Sequence, residues 1–440
     1  MLRAGTFRRA AITTLGSKIN TYEFVVIVQK LQKDQWTVVS SKDLADLYVI
    51  NSCTVTSEAG RQTRQEIRRA ISRNPSAFVV VTGCYAEMEE AACAAIPGVD
   101  LVVGNSEKLS LVEHLRAYSG TVKKSVTDES HGDSLETKEI LTSFPKRIRA
   151  FIQIQQGCDQ GCTYRVIHQA RGKSQSFALE DVEKQVQVLL YRGYKEIVLC
   201  GIDLGSWSKD FNVHLGSQAW NIVRLLEKLS NISGNYRLRL SSIDPTHISN
   251  DLLDMMACNE HICPHLHISM QSANALILKR MKRRYDPELL YNCVPAAHRK
   301  ISGLVGIQTE TEKQFEDTLQ AVDDLVISYP HVFPYSARGG TPAEKIPKQI
   351  PKLIQKERAS LVRAAGNRVF KDVLTQLVGY TGRALIERSA ANSRDFKHGR
   401  LDNYLPIRFI DQENTVGELV EAEVIGASSN TLIACRHVQE

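Results

Sequence analysis

The run GCDQGCTYRVIHQARGKSQS, Gly157–Ser176, decides how this chain is read. Cys158 and Cys162 occupy the first two places of a CxxxCxxC motif, and the last place holds Arg165. Three thiolates at this spacing reach three irons of a [4Fe-4S] cluster and leave the fourth iron open to a chelating ligand. Arginine cannot replace the missing thiolate. Its guanidinium carries N–H donors and no available lone pair, so at most it ion-pairs with an anionic cluster. The motif points to iron–sulfur chemistry and also argues against a normally assembled site. A bare CxxxC is more often two ordinary thiols in a loop, so the surrounding blocks carry the decision.

Those blocks run through almost the whole chain. TTLGSKIN (Thr13 to Asn20), NSCTVTSEA (Asn51 to Ala59) and VTGCYAE (Val81 to Glu87) precede the cysteine run. YKEIVLCGIDLGS, RLRLSSIDP, HLHISMQS and KRMKRRY follow it, then HVFPYSARGGTPA, LDNYLP and GELVEAEVIG. In this order they resemble the radical S-adenosylmethionine methylthiotransferases. The opening TLGxKxN is most similar to the subgroup that modifies threonylcarbamoyladenosine in tRNA; the isopentenyladenosine tRNA and ribosomal-protein subgroups are the alternatives.

The resemblance implies two [4Fe-4S] clusters and S-adenosylmethionine. It assigns Cys158 and Cys162 to the radical cluster, with Arg165 at the third position. An auxiliary cluster falls to Cys53 and Cys84, with Ser17 at its third position. Serine is a poor substitute for a thiolate, and after Gly16 it also reads as a plain turn residue. The family's barrel strand and Gly-Phe-Pro-Gly-Glu turn are replaced by RKISGLVGIQTETEKQF from Arg299, which is shorter and keeps only Gly306 and Glu310 in place. Tyr164 matches the residue packed beside the adenine, Gly201 the close backbone approach to the methionine, and Ser241, Asp244 and Gln271 polar contacts at the barrel mouth.

In the implied reaction a 5'-deoxyadenosyl radical takes hydrogen from C2 of adenine 37, and sulfur and methyl groups follow. The protein mainly holds cofactors and excludes water. Two function classes fit. One is a tRNA methylthiotransferase working through substitute ligands; the other is a catalytically inactive tRNA-binding paralogue. Arg165, Ser17 and the shortened 300–310 region together favour impairment.

Composition agrees. The chain has 440 residues, 43% of them hydrophobic, enough for two or three domains with real cores. A net charge of +6 favours a polyanionic partner. Lys279, Arg280, Lys282, Arg283 and Arg284 crowd one segment, and Arg61, Arg64 and Arg68 recur along one helix face. Each stripe alone is usually a solvated face. With the family resemblance they imply a tRNA anticodon stem-loop, whose phosphates give salt-dependent affinity. Ten cysteines fit a reducing compartment, and the basic start leads into a first strand rather than a signal core, so a cytoplasmic protein without a membrane span is expected. A monomer is expected, with a flavodoxin-type electron donor if it is active.

The fold expected is α/β in three parts. Residues 1–118 read as a parallel α/β domain, with strands Leu47 to Asn51, Phe78 to Thr82 and Leu101 to Val103 and a helix from Glu58 to Ser72. Residues 119–145 read as a polar linker and 146–376 as a partial (β/α) radical-SAM barrel with chemistry at its strand C-termini. Residues 377–440 read as a small all-β barrel resembling the RNA-binding TRAM domain, with strands Ala384 to Glu387, Leu405 to Ile410 and Leu419 to Ile425.

Overall fold

LYVINS, Leu47–Ser52, is buried at all six positions, the signature of a strand covered on both faces of a parallel sheet. In the computed structural model it is β3 of a six-stranded sheet. The others are β1 (Arg9–Thr14), β2 (Thr37–Val39), β4 (Phe78–Gly83), β5 (Leu101–Val103) and β6 (Lys124–Val126), in the order β2-β1-β3-β4-β5-β6. Ala10, Ile12, Leu47, Val49, Val80 and Leu101 meet Ile27, Val28 and Leu31 of the helix Lys18–Lys33 on one face. Tyr48, Ile50, Val79, Val81 and Val102 meet Ile67 and Ala70 of the helix Ser57–Arg73 on the other. Three residues of the stretch read as linker, Lys124–Val126, thus supply an edge strand.

The structure describes residues 8–54, 57–118, 124–126, 139–145, 147–164, 167–211, 219–297, 310–328, 330–333, 335, 341–345, 349–390, 393–410 and 416–437. Arg165 and the shortened run up to residue 309 lie outside them. The chain forms two compact units: Met1–Pro145 with Gln156–Phe177 and Ser336–Glu344, and Lys146–Gln155 with Ala178–Tyr335 and Lys345–Glu440. The cysteine loop, expected with the 146–376 barrel, belongs to the first.

In the second unit β7 (Arg149–Gln153) precedes the two-residue strands β8 (Gln155–Gln156) and β9 (Gln175–Ser176), and is followed by β10 (Glu196–Cys200) and β11 (Arg237–Leu240). The parallel order is β11-β10-β7, and β12 (Ser242–Ile243) pairs with β13 (His267–Ile268). A 25-residue helix, Lys352–Gln376, leads to a closed barrel of β14 (Thr381–Ala390), β15 (Ser393–Leu401), β16 (Pro406–Ile410), β17 (Leu419–Ala427) and β18 (Leu432–Arg436). Alternate residues Val420, Ala422 and Val424 face its core with Ile407, Phe409 and Ala434, the period-two pattern of a strand with one wet face.

A buried ionic row joins this barrel to the parallel strands. Glu196 lies in register between Arg149 and Arg237, so the three share one face of the sheet. Its carboxylate accepts from Arg237 Nε at 2.7 Å and Arg239 Nε at 2.8 Å, and all three side chains are essentially inaccessible. The remaining guanidinium N–H groups donate to the C-terminal barrel. Arg237 reaches the carbonyls of Arg383 and Arg400 at 2.7 and 3.1 Å, and Arg239 that of Asp402 at 2.8 Å. Arg149, Arg239 and Arg400 also lie 5.2, 4.9 and 4.2 Å from the Tyr404 ring centre. The row occupies the N-terminal ends of β10 and β11, leaving the C-terminal ends free for a site.

Candidate functional site

Three loops leave the C-terminal edge of the first sheet together, the place where open α/β sheets bind ligands. Gly16, at φ +100°, lies so close to the second loop that a Cβ there would stand 2.7 Å from Cys53 Sγ. Gly83, at φ +92°, has no room for a side chain either, since a Cβ would meet the Ser52 carbonyl oxygen at 2.5 Å. Ser52 Oγ accepts from the amides of Tyr85 and Ala86, each at 3.2 Å, and so fixes the turn that begins at Cys84. Cys53 and Cys84 are both buried. Ser17 is exposed, and its Oγ caps the helix Lys18–Lys33 by accepting from the Asn20 amide at 3.4 Å. Of its two sequence readings, the turn residue matches this role.

An ion cluster that sequence reasoning misses lies beside Cys84. Glu23, Lys108 and Arg171 come from three distant segments and are almost completely buried. Glu23 Oε1 is 2.6 Å from Lys108 Nζ and 2.8 Å from Arg171 Nη1, and Arg171 Nη2 donates to Asn20 Oδ1 at 2.8 Å. Arg171 also hydrogen-bonds the Cys84 sulfur. Burial and then the neighbouring Arg171 push the Lys108 pKa down, while the two cations together hold the Glu23 carboxyl low against its burial. No spacing signal marks such a cluster.

The Gly157–Ser176 loop is pinched shut. Gly157, at φ +69°, lies against Lys173, whose carbonyl oxygen a Cβ would meet at 1.8 Å; Cys158 N donates to Gly172 O at 3.2 Å and Ser174 N to Asp159 Oδ1 at 3.0 Å. Cys162 and Tyr164 are buried and Cys158 is half-buried. Among the described residues no three His, Cys, Asp or Glu side chains come together to hold a metal ion.

In the second unit the candidate contacts follow the C-terminal ends of their strands: Gly201 after β10, Ser241 after β11, Asp244 after β12 and Gln271 just beyond β13. A Cβ on Gly201 would stand 3.1 Å from Gln155 Oε1, which accepts from the Asp203 amide at 2.8 Å. Ser241 and Gln271 are buried, and the Gln271 backbone amide donates to the Tyr285 hydroxyl at 3.1 Å. Ser206 Oγ and Asp203 both approach His247 at the same nitrogen, Nε2, at 3.5 and 3.3 Å, so this trio lacks the relay geometry of a nucleophile.

Asp244 and Arg283, which the sequence presents separately as a cofactor contact and a phosphate contact, are each other's partners. They form a buried ion pair that also caps the following turn through Asp244. Arg283 therefore turns away from solvent, while Lys279, Arg280, Lys282 and Arg284 stay exposed. On the helix Ser57–Arg73 the basic face is larger than expected. Arg61, Arg64, Gln65, Arg68, Arg69, Ser72 and Arg73 line a surface groove of about 830 Å³. Arg61 is paired with Glu58 at 2.6 Å and Arg64 donates to the Tyr85 hydroxyl at 2.7 Å, which joins this face to the residue after Cys84.

Glu310, which the sequence retains at the end of the shortened run, is 5% exposed and carries a testable consequence. Burial pushes its carboxyl up to about 7 from 4.5, against the pull of Arg358. The folded state therefore keeps a proton that the unfolded chain has lost, and stability falls as pH rises from about 4.5 to 7. Glu310→Gln is expected to raise the thermal midpoint at pH 8, by about 3 kcal/mol of stability, and to have a much smaller effect near pH 5. Parallel melting curves at the two pH values check it.

Residues 9–104 match a family described as uncharacterized protein family UPF0004, and residues 152–322 match the radical SAM superfamily. Threonylcarbamoyladenosine tRNA methylthiotransferase MtaB of Bacillus subtilis (strain 168) is 33% identical over 429 residues, covering 95% of this chain and 94% of that protein. The MtaB of Rickettsia prowazekii (strain Madrid E) is 35% identical over 434 residues, covering 95% of each. This chain belongs to the radical SAM methylthiotransferase family, on its MtaB-like branch. The solved radical S-adenosylmethionine methyltransferase TsrM from Kitasatospora setae shares the fold at a TM-score of 0.53 over 77% of each chain, with 13% identity.

An iron–sulfur cluster and S-adenosylmethionine are the cofactors that go with this methylthiotransferase family. The donors do not fit complete three-cysteine ligation. Cys158 and Cys162 have an arginine in the third place, and beside Cys53 and Cys84 the third-place serine is committed to capping a helix.

Proposed function

We propose that this chain is a tRNA methylthiotransferase homologue that retains tRNA binding while its radical chemistry is impaired. The family reaction is methylthiolation at C2 of N6-threonylcarbamoyladenosine 37. The observation that carries the proposal is the donor set, two cysteines where three are needed in both places. Relatives named for threonylcarbamoyladenosine are 31–36% identical, against 28% for those named tRNA-2-methylthio-N(6)-dimethylallyladenosine synthase, which supports the subgroup. An inactive tRNA-binding paralogue is the limiting form of this reading.

The same proposal takes residues 1–118, 146–376 and 377–440 as its functional parts. Tyr164, Gly201, Ser241 and Gln271 serve S-adenosylmethionine, and the exposed cations of the two basic segments serve the anticodon stem-loop. The chain acts as a cytoplasmic monomer, with a flavodoxin-type donor wherever activity remains. Among the described residues no helix is long and apolar enough to cross a membrane.

Anisotropy titration of an adenine-37 anticodon stem-loop at two salt concentrations tests the tRNA reading. Lys282→Gln with Arg284→Gln is expected to weaken binding and to flatten the log–log salt slope by about one for each phosphate left without its cation. Arg283→Gln acts differently: it leaves Asp244 buried without its partner and lowers the melting temperature. Salt-independent binding that ignores the double variant contradicts the proposal.

A further inference from the structure

The sheet face that packs on the helix Lys18–Lys33 is apolar until its last row. There Thr14, Asn51 and Thr82 stand side by side in register, continuing Ile12, Val49 and Val80. Thr14 Oγ1, Asn51 Oδ1 and Thr82 Oγ1 are all buried and find no hydrogen-bond partner among the described residues. One orphaned buried oxygen costs roughly 1–3 kcal/mol. Three in one row mark a place where something polar is meant to sit.

The charges around this row define what fits. The same helix brings Glu23 over it, and Lys108 and Arg171 join Glu23 to leave one uncompensated positive charge in a buried space. Glu87, on the short helix that Cys84 begins, is half-buried and accepts from the Asn105 amide at 2.8 Å. Lys108 uses two of its three donors, on Glu23 and on Asn105 Oδ1 at 2.7 Å. The next residues along two of the strands are Cys53 and Cys84, and the glycines leave space: a Cβ on Gly83 would stand 2.7 Å from Asn51 Oδ1.

We propose that this pocket seats a small sulfur anion, hydrosulfide, against Cys84. Arg171 and Lys108 balance its charge, the two threonine hydroxyls donate to its sulfur, and Asn51 Oδ1 accepts its single S–H. The choice of sulfur over another small anion rests on the two thiols and on the sulfur-transfer reading above. The seat requires no iron.

The purified chain, incubated anaerobically with sodium sulfide and desalted, is assayed for sulfide released by acid and by a titration of sulfide affinity. The chain is expected to retain sulfide in preference to chloride or bromide. Arg171→Gln with Lys108→Met should weaken retention by about tenfold or more, the scale of losing charge-assisted hydrogen bonds. Glu23→Gln adds net positive charge and should tighten it. Because the first variant removes buried charges and can fail to fold, the second decides: a folded Glu23→Gln chain that binds sulfide no better than its parent overturns the seat. Equal retention of bromide, or ordered water alone in the pocket after sulfide treatment, overturns it too. Stem-loop binding is unchanged in every arm, so this inference and the tRNA proposal fail separately.

Discussion

Glu196→Ala is expected to cost about 3–5 kcal/mol, the scale of breaking a buried ion pair from one side. The substitution leaves Arg237 and Arg239 buried without their shared carboxylate, in the row that holds the C-terminal barrel to the parallel strands. Replacing Glu196, Arg237 and Arg239 together with apolar residues of similar volume should cost much less, because no charge is stranded. The Glu196 carboxyl is held far below the usual range: burial alone would raise it, and Arg239 and Arg237 outweigh burial. A depressed carboxylate contributes stability above its unfolded value near 4.5 and loses it as pH falls. Urea unfolding of the parent, the single and the triple variant at pH 7 checks the ranking. In acid the gap between the parent and Glu196→Ala should narrow.

The second large effect is a gain. Arg165→Cys with Ser17→Cys restores three cysteines at both cluster positions and is expected to raise iron and sulfide content severalfold after reconstitution. The change at position 17 removes the cap on Lys18–Lys33 and should by itself cost about 0.5–2 kcal/mol. The double variant without iron is therefore expected to melt below its parent, and the loaded variant above it, because bound metal stabilises only the folded chain. Full loading without cleavage of S-adenosylmethionine would place the remaining fault in the shortened run before Glu310.

Much of the fold is legible in the sequence because its strands carry strong patterns. LYVINS and FVVVTG are continuous apolar runs, and LVEAEVIG alternates. Ser393–Leu401 escapes a sequence reading because SRDFKHGRL sets charges and a glycine where a strand is usually apolar, and only barrel closure makes it one. The polar 119–145 stretch hides Lys124–Val126 because an edge strand needs little burial. At the site, spacing exposes the cysteine positions. Glu23, Lys108 and Arg171 give no signal because they meet only after folding. Arg283 is misleading in the sequence because a run of cations reads alike whether every member faces water or one turns inward to Asp244.

Iron and sulfide counting on the anaerobically reconstituted parent chain, with electron paramagnetic resonance of the reduced sample before and after S-adenosylmethionine, tests the central claim most directly. The account predicts iron far short of two [4Fe-4S] clusters and a spectrum that S-adenosylmethionine leaves unchanged. A full cluster signal that shifts when S-adenosylmethionine is added would contradict it.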